Sequence, residues 1–233
     1  MFTLLGGPDN RDLLWLAAAL RRRREPVEIV LPEEILEDAR LTYRIDRAGV
    51  SSALRLRDGR WLGVDLPNLV INRLTELPVR AAGSGIDTAY LGEEWRAALA
   101  AWLRTLRCPV LNPPRAASLG GPVISIPAWR AIARAHGMAC HPWANDGMTG
   151  AVDPIDILVV GDACLDASHT ASPALRAQLC QMSRFVGAPL LGASFDRDGE
   201  WAFIGATVSP PLEEGQALVD AIVQLSKERQ KGS

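Results

Sequence analysis

The chain has 233 residues, 48% of them hydrophobic and 22% charged, with a formal net charge of -2 at pH 7. This is the composition of a folded protein with one large or two small cores, and it excludes disordered, collagen-like and disulfide-scaffold chains. The near-neutral balance lacks the clustered positive charge that displaces counterions from phosphates, so no nucleic-acid partner is expected.

Lys227 and Lys231 are the only lysines among the 25 basic residues, and both lie near the C-terminus. Any site in the body of the chain that needs a cation must use arginine. The four cysteines, Cys108, Cys140, Cys164 and Cys180, form no CxxC pair, and the start MFTLLGGPDN has no basic segment followed by a long apolar stretch. The expectation is four reduced thiols in a cytoplasmic protein. No apolar run reaches membrane-spanning length, so no membrane association is expected, and the oligomeric state is left open.

In chain order, Phe2 to Leu5, the turn Gly6-Gly7-Pro8-Asp9-Asn10, a helix Leu13 to Arg24 and Val27 to Leu31 read as strand, helix, strand. That order implies a parallel sheet. The run Arg21 to Arg24 suits a solvated helix C-terminus, where cations complement the dipole; an anion site is the lesser alternative. Gly6-Gly7 reads as a tight turn or as a phosphate-facing helix N-terminus. Leu41 to Ile45 is a strand. Ser52 to Arg57 and Arg60 to Val64 flank Asp58-Gly59, the signature of a hairpin. Asn68 to Arg73 is a buried strand whose polar end puts Asn72 and Arg73 where open α/β sheets present groups to ligands.

Residues 78–90 read as a Gly- and Ala-rich loop before a helix from Leu91 to Leu106, whose Trp95, Leu99, Trp102 and Leu106 form a core-facing stripe. Cys108 to Leu111 is a strand. Pro127 to Ala135 is a helix, 136–154 an irregular bridge, and Asp156 to Val160 with Ala163 to Leu165 a hairpin. Pro173 to Val186 is a helix closed by Gly187. Leu190 to Phe195 and Glu200 to Ala206 form a hairpin around Asp198-Gly199. A last helix starts at Pro210-Pro211, with Glu213-Glu214 in its first turn and Lys227 and Arg229 at its end.

GxGxxG, GxxxxGK[ST], HExxH and GxSxG are all absent. His136, Cys140 and His141 form the tightest group of potential metal ligands; the helical i,i+4 spacing of the first two would suit zinc, but Gly137 and Pro142 favour a loop. His141 and Cys140 remain a candidate acid-base or nucleophilic pair.

As a whole the chain resembles ATP-grasp proteins of the kind that includes RimK-like ligases and maturases of ribosomally made peptides. The resemblance rests on the opening strand-helix-strand, Leu69-Val-Ile-Asn-Arg-Leu74, the Tyr90 to Leu106 helix, Cys108-Pro-Val-Leu-Asn-Pro-Pro114, Ile157-Leu-Val-Val-Gly-Asp162, Arg176 to Phe195 and Trp201 to Pro211. It implies an α/β protein: a pre-ATP-grasp-like α/β domain over 1–112, then a shortened ATP-grasp-like α+β domain over 113–233.

The resemblance also implies magnesium ligands, a Glu and an Asn in the closing hairpin and an acid in the strand before it. This chain has Gly205, Thr207 and Ser194 there. The lysine-bearing lobe of the family is reduced to residues 137–155, which contain no lysine. The expected function is therefore that of a non-catalytic binding or accessory subunit with a protein or peptide partner and no cofactor. Asn72, Arg73 and Arg130 are candidates for an anionic ligand. The alternatives are an ATP- and magnesium-dependent carboxylate-amine ligase that redeploys Asp153, Asp156, Asp162, Asp196 or Asp198, and an unrelated enzyme using His141 or Cys140.

Overall fold

The computed structural model describes residues 1–7, 9–36, 39–47, 49–63, 69–75, 77–78, 85–142, 154–196, 201–212 and 215–230. Pro8, Val64, Pro67, Asn68, Asp153, Asp198, Gly199, Glu200, Glu213, Glu214 and Lys231, with most of the 78–84 segment and the 143–153 part of the bridge, lie outside the described residues. The chain forms two compact units, one of 1–121 with 212–233 and the other of 122–211.

In the first unit, β1 (Phe2–Leu5), β2 (Val27–Val30), β6 (Leu69–Asn72) and β7 (Val110–Leu111) form a sheet in the order β2-β1-β6-β7. All its pairings are parallel, as the strand-helix-strand pattern predicts. β1 and β6 are buried at every residue, which is why both read as unbroken apolar runs. Helix α1 (Arg11–Arg22) follows β1 through Gly6-Gly7, and the side chain of Asn10 caps it by accepting from the Leu13 amide at 3.1 Å. Gly6 is required by close approach, because a Cβ there would stand 3.0 Å from Leu13 Cδ1 and 3.3 Å from Arg73 Cβ.

The expected hairpin is part of a three-stranded antiparallel sheet, β3 (Arg40–Asp46), β4 (Gly49–Arg55) and β5 (Trp61–Gly63). Gly59, at φ 90°, makes the turn between β4 and β5. Helix α3 (Gly85–Thr105) buries Leu99, Trp102 and Leu103 with Leu54 and Leu62 of this sheet and Leu56 just beyond β4, so the aromatic stripe is core. Tyr43 donates to the Ala98 carbonyl at 2.5 Å, and the hydroxyls of Ser52 and Thr105 meet.

One helix is absent from the sequence reading, and two others begin elsewhere than it places them. Helix α2 (Pro32–Leu36) is too short to show a helical period, and its sequence signals are Pro at the first turn followed by Glu33 and Glu34. Helix α3 begins at Gly85 rather than Leu91, with Asp87 in its first turn. Helix α6 (Gln216–Gln230) begins after Gly215 rather than at Pro210-Pro211. The sequence division groups this last helix with the second domain, but it packs against α1 in the first unit, where Arg23 pairs with Asp220.

The second unit holds α4 (Ile126–Ala135), β8 (Pro154–Val160), β9 (Ala163–Asp166), α5 (Pro173–Val186), β10 (Leu190–Asp196) and β11 (Ala202–Thr207). Its sheet is antiparallel in the order β11-β10-β8-β9. Both helices pack on one face, where Trp129, Ala133, Leu175, Leu179 and Met182 bury Ile157, Val159, Leu191, Ala193, Phe195 and Phe203. Ser172 caps α5 from the Leu175 amide at 3.1 Å, and Gly187 at φ 65° ends it.

Asp166 ties β9 to the start of α5. Burial alone would raise its pKa. Hydrogen bonds from the Ser168 hydroxyl and from the Ala171, Ser168 and Thr170 amides outweigh burial and hold the carboxyl below the usual range. A group with a depressed folded pKa stabilises above its unfolded value, and that stability is lost as pH falls through the folded value. Asp166→Asn should lower stability at pH 7 by about 1–3 kcal/mol, the cost of disturbing a buried charged hydrogen-bond set. The loss should shrink below pH 4; denaturant melts at pH 7 and pH 3.5 measure both.

Candidate functional site

Successive residues of β10 face opposite sides of the sheet. Leu191, Ala193 and Phe195 enter the core, which sends Gly192, Ser194 and Asp196 to the other face. On that face Ser194 lies between Asp156 of β8 and Gly205 of β11, and Gly192 between Leu158 and Thr207. Ser194, Gly205 and Thr207 therefore share one patch.

The donors there are few. The Ser194 hydroxyl donates to Asp156 Oδ1 at 2.5 Å, and Thr207 Oγ1 accepts from the Ser209 amide at 3.1 Å. Gly205 contributes no side chain, although a Cβ there would meet nothing within 4 Å. Gly192 is different: a Cβ there would fall 2.6 Å from Pro210 Cβ, so the proline ring lies against the strand.

Magnesium requires near-octahedral oxygen coordination, usually anchored by carboxylates. In this patch Asp156 is the single carboxylate on the Ser194 row, and it already accepts from that hydroxyl. No group of three or more His, Cys, Asp or Glu is placed to hold a metal ion among the described residues. The described residues of this patch do not fit a nucleotide-bound magnesium. Lys227, the lysine among the described residues, lies on α6 of the first unit.

The acids singled out by sequence have separate partners: Asp156 meets Ser194, Asp162 pairs with Arg184 at 2.7 Å, and Asp196 pairs with His141 at 3.2 Å. Asp153 and Asp198 lie outside the described residues. Arg130 donates to the His141 carbonyl from α4 and so steadies residues 139–141, which pair with Phe203 along the edge of β11. Cys140 packs on the core and donates to the Arg130 carbonyl at 3.5 Å. The imidazole of His141 points instead to Asp196 on the opposite face. Cys140 and His141 are thus neighbours in sequence that turn to opposite sides, which is not the geometry of a nucleophile and its base. His136 caps α4, with its ring nitrogen Nδ1 2.9 Å from the Ile132 carbonyl, and the helix has ended before Cys140.

In the first unit, Asn72 and Arg73 leave the C-terminal end of β6. Asn72 is 1% exposed. Its amide donates to the carbonyls of Asn112 at 2.9 Å and Leu119 at 2.6 Å, and its Oδ1 accepts from the Leu74 amide at 3.2 Å. This side chain fastens three loop segments to the sheet and leaves no N–H for a ligand. Arg73 reaches Asp12 at 3.4 Å; burial pulls its pKa down, and the Asp12 carboxylate pushes back. Asp12 also accepts from the Leu212 amide at 3.1 Å. Sequence reasoning missed Asp12, whose acidic position in the first turn of α1 was the available signal.

Two consequences are measurable. Asn72→Ala should destabilise the protein by about 2–3 kcal/mol, because two buried carbonyls and one amide lose their partner together; denaturant titration measures this. Burial raises the Cys164 thiol to about 12 and the Cys108 thiol to about 11. Since the thiolate is the reacting species, only about one Cys164 in ten thousand is ionised at pH 8. Under native conditions both should resist alkylation at pH 8 and react fully in denaturant, as read by peptide mass mapping.

No protein-family model matches the chain, and no curated protein does. Solved structures do. The macrocyclase MdnC from Microcystis aeruginosa MRC, bound with precursor peptide MdnA, superposes with a TM-score of 0.67 at 10% identity, covering 98% of this chain and 100% of that one. The ATP-grasp ligase PsnB, complexed with minimal precursor, Mg and ADP, gives 0.70 at 17% identity over 97% and 98%. A Chryseobacterium gregarium RiPP-associated ATP-grasp ligase, in complex with ADP and a leader and core peptide, gives 0.65 at 10% identity over 98% and 97%. The chain has the ATP-grasp fold.

Proposed function

We propose that this protein is a peptide-binding relative of the peptide-modifying ATP-grasp ligases that serves as an accessory subunit and carries out no ligase chemistry of its own. The observation that carries this reading is the Ser194, Gly205 and Thr207 patch: the three positions lie side by side, yet one lacks a side chain and the hydroxyls of the other two already bond within the protein. Phosphoryl transfer depends on cations that neutralise the polyphosphate, and among the described residues the Ser194 row offers a single carboxylate to recruit one. The peptide half of the proposal draws support from fold-level likeness to ligases bound to precursor peptides.

The chain's own contribution would be positional. Asn72 and Asp12 keep the first unit rigid at the C-terminal end of its parallel sheet, the end at which open α/β sheets place ligands. Arg130 and the His141–Asp196 pair fix the edge segment beside β11.

The test is thermal melting with and without millimolar ATP and magnesium. Ligand at about a hundred times its dissociation constant would stabilise the fold by roughly 2.7 kcal/mol. The expected result is no magnesium-dependent rise, together with no ATP turnover in the presence of candidate precursor peptides. A clear magnesium-dependent rise with turnover would overturn the accessory reading in favour of an active ligase.

A further inference from the structure

The three-stranded sheet of the first unit carries a feature unrelated to the nucleotide question. Strand register sets Arg40 of β3 directly opposite Arg55 of β4. Like charges in that position repel, so the arrangement costs the ligand-free protein stability. Arg40, Arg55 and Arg57, with Ala39 and Leu56, line an open surface cleft with about 490 Å3 of space.

Among the described residues, the nearby acids gather on an arginine outside the lining of this cleft. Glu28, Glu34 and Asp58 all pair with Arg60, at 2.9 Å and 2.5 Å for the first two. Burial works against the charge of Arg60, yet the three carboxylates raise its pKa further. One guanidinium thus collects three acids. Among the described residues no carboxylate forms an ion pair with Arg40 or Arg55. The guanidinium of Arg55 lies over the Trp61 ring, 5.6 Å from its centroid, which orients its plane.

We propose that this cleft is an oxyanion site for a dianionic phosphoryl group, presented as free phosphate or as a small phosphomonoester. Guanidinium forks bind such oxygens in pairs. A phosphoryl group carries about two negative charges and so answers the opposed Arg40 and Arg55 together, where a single carboxylate answers only one. The site stands apart from the accessory reading and does not depend on it.

Isothermal titration and thermal melting of the full chain with inorganic phosphate, and separately with glycerol 3-phosphate, test the proposal against chloride at matched ionic strength. Saturable binding of at least one probe is expected, with a rise in melting temperature. Arg40→Gln and Arg55→Gln should each weaken it at least tenfold. Each should melt at or above the wild-type temperature in chloride alone, since the substitution removes the repulsion. Arg134→Gln, an exposed change on α4, should bind as wild type does. Tighter binding of the monoester would identify a small phosphorylated molecule as the source, and equal binding would identify phosphate itself. Absence of saturable binding for both probes, or wild-type affinity in both cleft variants, overturns the proposal.

Discussion

The pleat of one strand organises the second unit. In β10 the period of two forces Leu191, Ala193 and Phe195 into the core under α4 and α5, and the same constraint forces Gly192, Ser194 and Asp196 onto the opposite face. A slip of one residue would put a serine and an aspartate into the core, so packing locks the register. Once locked, the register determines the rest of the patch: Asp156 and Gly205 flank Ser194, and Leu158 and Thr207 flank Gly192. The arrangement of that face is therefore a by-product of core packing. Its chemistry depends only on which side chains occupy positions that packing has already placed.

This separation explains how a fold can persist while a site changes. A Cβ at Gly205 would meet no atom within 4 Å. Exchanging a ligand-bearing residue for glycine at such a position costs the core nothing. Gly192, one cross-strand row away, has no such freedom, because Pro210 lies against it. Within a few ångströms the same face thus contains a position that packing fixes and one that it leaves open. Selection for stability acts on the first, whereas only selection for chemistry would act on the second.

The legible parts of the fold were those in which local and tertiary signals agree. β1, β6 and β8 announced themselves as apolar runs, and α5 by Ser172, Pro173 and Gly187 at its ends. Helix α2 was invisible because five residues cannot show a period of 3.6. The early start of α3 was missed because Gly85 and its neighbours carry loop composition, and the helix is made by what Leu99 and Trp102 bury further along. Of the candidate site, position was legible and role was not. The end of β6 drew attention to Asn72 for the right geometric reason, but its amide is consumed by the Asn112 and Leu119 carbonyls, 40 and 47 residues away in sequence. A hydrogen bond of that range leaves no trace in a local pattern. Ser194, Gly205 and Thr207 came from family resemblance alone.

Arginine is the second theme of the chain, and its uses differ by surroundings rather than by residue type. Arg73 is buried and held by Asp12, so it works as part of the frame. Arg60 gathers three carboxylates and binds β2, α2 and the β4–β5 turn to one another. Arg40 and Arg55 stand opposed across a strand pair beside an open cleft. A sequence with the acids of Arg60 spread evenly over these arginines would relieve the opposition at no cost in net charge. The fold instead concentrates three negative charges on one guanidinium and leaves two positive ones facing each other. Within a protein of balanced total charge, two opposed guanidiniums make a local positive patch, whose sign suits an anion from outside the chain.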